Sequence, residues 1–292
     1  MKLAHCGHEG FIGSHLYAAL CKMGRKPDTL AGHVRDDFTA HCLVEGCDVL
    51  YITGGVTGGA GLLKANPRAL VHPNLKLHSL LFEACADVGC RKIICMGSTT
   101  GYPETTYPLR EEDFHTDDVP ACYFNPGHTR RFIERLAAMY PELEVTFLRT
   151  TNVIGPADNF DPETSHVTAA TIRKVAEKQS PIVVWGDGSE QRDIIHVDDM
   201  TRALIAALDA PPGAYNIGRG SMASVNEILG LLCLAAKHEA EIRYDATKLT
   251  LLKYRAFDVS KAREVLKWRA EISLEDALAR TLAWYLEHAE DE

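Results

Sequence analysis

The sequence predicts an α/β fold, a doubly wound parallel sheet followed by a smaller C-terminal α/β region that holds substrate. Three observations carry this prediction. Short apolar runs alternate with segments of helical spacing, as parallel strands joined by right-handed crossovers require. The first run, at residues 3–6, passes straight into Gly7-x-x-Gly10-x-x-Gly13 and then into the helix-like SHLYAALCKMG. The second half changes character, with shorter strands set among helices. Glycines suit a backbone that must turn tightly and lie against a pyrophosphate, and the helix behind them offers free N–H groups and a positive dipole end. Strand-to-helix turns also use glycine for packing alone. The place of this turn, between a strand and a helix at the N-terminus, favours dinucleotide binding and a Rossmann-type sheet.

Composition narrows the choices. A chain of 292 residues can bury a sizeable core as one large domain or two smaller ones. Its 46% apolar and 24% charged content is that of an ordinary globular protein. No apolar run approaches the roughly eighteen residues of a membrane span, and the glycine turn comes too early for a secretory h-region. A net charge of −9 argues against nucleic acid as a main partner. The nine cysteines lie mostly in apolar periodic segments. Cys85, Cys90 and Cys95 are evenly spaced but fall across a helix, a turn and a strand, so buried free thiols are expected and no metal site. The setting this implies is a reducing cytoplasm.

In chain order, the region after the first helix is polar and broken (GRKPDTLAGHV), where a second strand would end in an acid for the adenosine ribose. That position is Ala31, with Asp28 or His33 as substitutes. A strand is expected at 48–53, running into Gly54-Gly55 and a second cluster, Gly58-Gly59-x-Gly61. These glycines suit either close approach to a ligand or a mobile loop. Helical spacing marks 74–88, and strands are expected at 92–96 and 144–149. Beyond these, helices are expected at 165–178, 198–208, 225–236, 260–266 and 274–288, with strands at 182–185 and 241–244. Residues 1–155 form the dinucleotide-binding domain in this reading. Residues 156–292 form mainly the substrate-binding domain, with the chain crossing between the two.

GFIGSHL, RDIIHVDDM, AYNIG, FDVSKAREVLKW and the final SLEDAL…WY stand in the order of landmarks in the extended short-chain dehydrogenase/reductases, the NAD-dependent epimerase/dehydratases. The chain resembles that family over nearly its whole length. TNVIGPADNFDPETSHVTAATIRK followed by VVWGDGSEQRDIIHVDDM resembles the GDP-fucose synthase branch in particular. The resemblance implies a nucleotide-diphosphate sugar as substrate, NAD or NADP as cofactor, and a homodimer paired through 74–88 and 126–139. The cofactor positions it implies are Gly7, Glu9, Gly10, Phe11, Ile12, Gly13, Asp36, Asp37, Gly54, Gly55 and Arg130.

The family's redox chemistry uses a serine, a tyrosine and a lysine, the phenol taking a proton while hydride passes to or from the cofactor. GSTTGYP resembles the serine motif, with Ser98 four residues before Tyr102. Ser98 either polarises a substrate oxygen or only forms a turn. CYFNPGHTRRFIERLA resembles the Tyr-x-x-x-Lys helix, anchored by Glu134, but places Pro126 at the tyrosine and Arg130 at the lysine. Proline is tolerated in a helix's first turn yet transfers no proton. Arg130 supplies charge and donors but no base. Tyr123, three residues upstream, is either a relocated phenol or a packed tyrosine. For the epimerising cysteine and histidine of the branch the matches are Thr100 and His166, while Cys122 and His128 flank the altered helix start. Asn152, Lys174, Trp185, Arg192 and Arg255 fall at substrate positions, where cations suit two phosphates. Glu9 stands where NADP-using relatives of the branch carry arginine, and a carboxylate beside a 2′-phosphate is repulsive, so NAD is expected over NADP. Two rival readings are a non-redox isomerase or lyase that keeps NAD as a bound ligand, and a catalytically silent cofactor or metabolite sensor.

Overall fold

The structure, a computed structural model, describes residues 1–30, 33–66, 68–248 and 252–288. Ala31 therefore lies outside the described residues.

The first strand, β1 (Leu3–Cys6), is buried along its whole length and turns through residues 7–10 into α1 (Phe11–Lys22). The expected second strand is reduced to one bridge, Ala4 beside Asp28, held by His5 N donating to Asp28 O (2.9 Å) and Asp28 N to Leu3 O (2.7 Å). Asp36 and Asp37, expected at the cofactor, lie instead at the start of a helix, α2 (Asp37–Val44). Asp36 caps it by accepting from Thr39 N at 2.9 Å, and Thr39 Oγ1 in return accepts from Asp36 N at 3.2 Å. This reciprocal cap satisfies two backbone donors locally and is sufficient reason for a helix to start there.

Next come β2 (Val49–Ile52), α3 (Ala60–Ala65), α4 (His72–Val88) and β3 (Lys92–Ser98). Gly89 ends α4 in the left-handed conformation that glycine adopts without penalty. Then follow α5 (Phe124–Ala137), β4 (Glu144–Thr150), β5 (Asn152–Ile154), α6 (Val167–Ala176), β6 (Ile182–Trp185) and β7 (Gln191–His196). The chain continues with α7 (Val197–Ala206), β8 (Gly213–Ile217), β9 (Met222–Ser224) and α8 (Val225–Ala235), and closes with β10 (Ile242–Asp245), α9 (Ser260–Val265) and α10 (Leu274–His288).

Among the described residues the main sheet has the order β1-β2-β3-β4-β8, parallel throughout. Alternate side chains feed two cores, as a two-sided sheet demands. Ala4, Leu50, Ile93 and Phe147 pack with α2, α4 and α5, whereas Leu3, Val49, Ile94, Leu148 and Tyr215 pack with α1, α7 and α9. That is a doubly wound arrangement. A third core joins α6, α8 and α10 to β6 and β7. Here β5, β7 and β9 form a small mixed sheet, and β6 pairs with β10 in another. The strands β5, β7, β8 and β9 have no counterpart in the sequence reading. All are short, and their pairing partners lie far off in sequence.

Candidate functional site

Cofactor-site geometry starts at the turn after β1. Gly7 has φ +94°, and a Cβ there would lie 2.2 Å from Gly54 N; a Cβ on Gly13 would lie 1.8 Å from the Gly7 carbonyl oxygen. The turn is thus closed against the end of β2 by backbone-to-backbone contact that only glycine permits. Gly10 is the N-cap of α1, offers no side-chain cap, and no acid occupies the first turn. The leading amides of Phe11, Ile12 and Gly13 are left for an anion, aided by the helix dipole. These features fit a dinucleotide pyrophosphate. The Glu9 carboxylate is exposed beside this turn, 3.8 Å from His8.

Around the turn, a Cβ on Gly55 would meet Asn74 Oδ1 at 2.7 Å and an Arg130 Nη at 3.9 Å. Asn74, buried on α4, fixes this loop by accepting from Val56 N and donating to the Val56 and Leu70 carbonyls. It was overlooked in the sequence, although a lone amide on an otherwise apolar helix face was the available signal. The second glycine cluster serves packing: Gly59 N donates to Thr164 O at 3.0 Å, and a Cβ on Gly59 would approach the Ser165 carbonyl to 2.4 Å. That places the 58–61 loop against the backbone just ahead of His166. Asp36 is engaged in its cap, and Asp37 is the first residue of α2. Asp28 pairs with Lys2 at 3.0 Å, toward the amino end of β1 and away from the glycine turn.

The catalytic-type residues gather at the carboxyl end of β3 and the start of α5. Ser98, last in β3, accepts from Thr100 N at 3.2 Å and lies 3.0 Å from Thr100 Oγ1. Its hydroxyl therefore forms a turn, and either it or Thr100 Oγ1 donates in the contact between them. Pro126 is buried in the first turn of α5, where its missing N–H costs no helical bond. One turn on, Arg130 points into a desolvated position near Gly55, and burial lowers its pKa, opposed by Cys95 and Glu134. Among the described residues its guanidinium has no hydrogen bond and no ion pair. Glu134 is occupied elsewhere, binding Arg149 through two bonds of 2.9 and 2.6 Å. Arg149 also donates to Tyr102 Oη (2.8 Å), which donates to Asn216 Oδ1 (2.5 Å), so a buried polar network ties β4, α5 and β8 together beneath the site.

Tyr123 is the N-cap of α5, half-buried, with the Arg255 guanidinium 5.3 Å from its ring centre. Desolvation raises its phenol pKa, outweighing the opposing pull of Arg255 and Arg192. No lysine acts on it. Arg255 is buried and donates to the carbonyls of Thr99, Tyr102 (3.4 Å) and Pro103 (3.5 Å), so it straps down the serine turn. Cys122 is partly buried and its thiol pKa is raised by desolvation, while His128 packs on Phe124 with ring centres 4.7 Å apart.

His166 caps α6 with its backbone while its ring retains solvent access. Protein crowds it enough that desolvation lowers its pKa, so it is neutral at pH 7. Lys174 Nζ donates to Val183 O at 2.8 Å and desolvation lowers its pKa. Trp185 is 43% exposed, with Lys248 5.9 Å from its ring. Arg192 donates to the carbonyls of Gln191 and Leu252, both at 2.8 Å. Asn152 Nδ2 donates to Asp193 O at 3.3 Å. Thus Tyr123, Arg192 and Arg255 form one group and Gly55 and Arg130 another, whereas Asp36 and Asp37 belong to a separate helix start. No group of side chains among the described residues is arranged to hold a metal ion, and no helix is long and apolar enough to cross a membrane.

Comparison with known proteins agrees with this architecture. The model of the NAD dependent epimerase/dehydratase family matches residues 6–218. GDP-L-fucose synthase 1 of Arabidopsis thaliana is 27% identical over 308 residues, spanning 98% of this chain and 94% of its own. The UDP-glucose 4-epimerase of Thermotoga maritima, solved with UDP-glucose, superposes with a TM-score of 0.89 at 21% identity, over 99% of this chain and 100% of that one. The UDP-glucuronic acid 4-epimerase of Bacillus cereus, solved with UDP-glucuronic acid and NAD, gives 0.85 at 24% identity, over 98% and 99%.

Proposed function

Since the chain belongs to the NAD-dependent epimerase/dehydratase family, we propose that it binds NAD and acts on a nucleotide-diphosphate sugar, with His166 as its acid–base group in place of the tyrosine–lysine pair. The observation that carries this reading is the glycine turn, shut against β2 and followed by uncapped amides at the start of α1. Residues 1–155 hold the dinucleotide and 156–292 mainly the sugar nucleotide. The pyrophosphate lies on Phe11–Gly13 amides, and Arg130 donates to the nicotinamide ribose. The exposed carboxylate of Glu9 disfavours a 2′-phosphate, hence NAD over NADP. When bound, NAD supplies a hydride acceptor.

Ser98 donates to the substrate's carbonyl or hydroxyl oxygen. Neutral His166 takes a proton from a carbon next to that carbonyl, or returns one, which makes epimerisation or elimination at a keto sugar the chemistry the chain's own groups support. Arg130 cannot serve as base because guanidinium stays protonated. Lys174, Trp185 and Arg192 receive the nucleotide diphosphate. Two copies pair through the outer faces of α4 and α5, where Phe124 and Phe132 are exposed. Nine free cysteines suit a cytoplasmic setting.

Calorimetry with NAD and NADP, then turnover of a panel of keto-sugar nucleotides by wild type and His166→Asn, tests the proposal. NAD should bind more tightly than NADP, and the variant should lose at least a hundredfold in kcat with NAD affinity unchanged. Absence of binding by either cofactor overturns it. A second reading, a silent sensor, is favoured by Pro126 and by the raised pKa of Tyr123. Tight binding of NAD and sugar nucleotide without any turnover selects that reading.

A further inference from the structure

We propose that a further anion site lies beyond the end of β8 and takes a small ligand carrying two linked phosphates. A cavity of about 470 Å³ opens there, and Arg219, Arg263 and Arg269 line it together with Val259 and Glu271. Arg219 follows β8 directly, Arg263 is on α9, and Arg269 lies just after it in sequence. The next residue, Gly220, brings the turn close to Arg263, one of whose Nη atoms would lie 3.9 Å from a Cβ built on that glycine.

What sets Arg263 and Arg269 apart is the absence of a paired counter-charge, whereas Arg219 lies within the field of Asp193. Among the described residues the side chains of Arg263 and Arg269 make no hydrogen bond or ion pair. Arg219 makes one side-chain bond, of 3.3 Å to Ser221 O, and its Nε is buried without a partner. Every carboxylate around the cavity is already committed. Glu271 faces Arg202 at 3.4 Å. Asp199 holds Arg202 and accepts from the amides of Glu271 (3.1 Å) and Ile272 (3.0 Å). Asp193 accepts from the amides of Arg219 (2.9 Å) and Gly220 (2.8 Å). The chain has 40 acidic residues and 31 basic ones, so carboxylates are not scarce. Leaving Arg263 and Arg269 unmatched beside a partly engaged Arg219 around one cavity therefore points to an anion that arrives from outside.

The same bonds make the site rigid. Asp193 fixes the wall that carries Arg219, and Asp199 with Trp268 Nε1, which donates to Asp199 O at 3.1 Å, fixes the wall that carries Arg269. Two planar forks and a half-buried third donor match phosphate oxygens better than a single carboxylate, which would leave charge uncompensated. A cavity of this volume has room for a diphosphate and more, and is too confined for a duplex nucleic acid. The site is separate from the glycine turn: β8 is the opposite edge of the sheet from β1, four strand spacings away, or roughly 19 Å.

The test titrates inorganic pyrophosphate into the full chain and into the Arg263→Gln/Arg269→Gln double variant by calorimetry, since pyrophosphate also reports on the glycine turn. Wild type should show sites at the glycine turn, at Lys174, Trp185 and Arg192 and at this cavity, and the double variant should weaken one class at least tenfold while the others stay unchanged. Arg130→Gln should leave the affected class intact. Both substituted residues are exposed, so the variants should melt at the wild-type temperature without ligand. A crystal soaked with pyrophosphate should show the anion among Arg219, Arg263 and Arg269. An unchanged titration in the double variant, or no binding of pyrophosphate to wild type beyond the glycine turn and the group of Lys174, Trp185 and Arg192, overturns the proposal.

Discussion

Asp158→Asn should stabilise the protein, and by an amount that depends on pH. Asp158 is 9% exposed and accepts a single hydrogen bond, 2.7 Å from Asn159 N. Burial pushes its pKa from 3.8 to about 7, the one bond to Asn159 opposing this. A folded pKa above the unfolded one means that the folded state binds the proton more tightly. The stability this confers is complete below about pH 4 and lost as pH rises through 7. At about 1.4 kcal/mol per unit of pH, holding the carboxylate ionised at pH 8 costs about 4 kcal/mol, of which about 1.5 kcal/mol remains at pH 5. Asparagine keeps an acceptor for Asn159 N and carries no charge. Urea denaturation of wild type and variant at pH 8 and pH 5 should therefore give a stabilisation of about 4 kcal/mol falling to about 1.5. An equal difference at both pH values would refute the reasoning, because the cost would then not be one of ionisation. Two buried histidines act with the opposite sign: desolvation lowers His5 to about 3 and His78 to about 4, so each destabilises the fold as pH falls below 6.5. The wild-type profile is thus flattened by compensation, and only the single variant exposes the carboxylate.

Glu134→Ala should cost about 3–5 kcal/mol in urea denaturation by stranding the buried Arg149 guanidinium, and adding Arg149→Met should recover part of it. Glu9→Arg should move the ratio of NADP to NAD affinity at least tenfold toward NADP by calorimetry, as a cation replaces the carboxylate next to the turn. Tyr123→Phe should leave kcat within about twofold and NAD affinity unchanged, since its phenol is held protonated; a hundredfold loss of kcat would make it the missing acid–base group.

Legibility in the sequence follows the range of the interaction that fixes each residue. The glycine turn was readable because Gly7 and Gly13 are constrained by neighbours within one strand–helix unit, together with the strand beside it. Pro126 in the first turn of α5 was equally local. The start of α2 was also local, but Asp36 was weighed as a ligand contact and not as the acceptor of a reciprocal cap with Thr39. Arg255 was beyond reach, for its carbonyl partners lie more than 150 residues away, and spacing cannot tell a phosphate donor from a strap. The strand β8 was hidden for the same reason: AYNIG is too short to announce itself, and its place beside β4 depends on a connection of more than sixty residues. Tyr123 stands between these cases. Sequence put it one helical turn before Pro126, yet α5 begins only at Phe124, and the ring turns toward Arg255.

These placements together decide what the cleft can do with a proton. In the proposed alignment Pro126 and Arg130 take the places of the family's tyrosine and lysine, which removes both titrating partners while retaining one positive charge. Arg255 pulls the Tyr123 phenol's pKa down from close by while its donors hold the serine turn, but burial prevails. Cys122 is raised in the same direction by the same cause. Of the groups named for chemistry, His166 is the imidazole whose pKa desolvation lowers, which keeps its neutral form favoured. The binding elements show no matching loss, since the turn is closed and, among the described residues, Arg130 has no hydrogen-bonded acceptor. If, as proposed, the site holds NAD and works through the His166 imidazole, proton transfer, not phenol-assisted hydride transfer, is the step its residues serve.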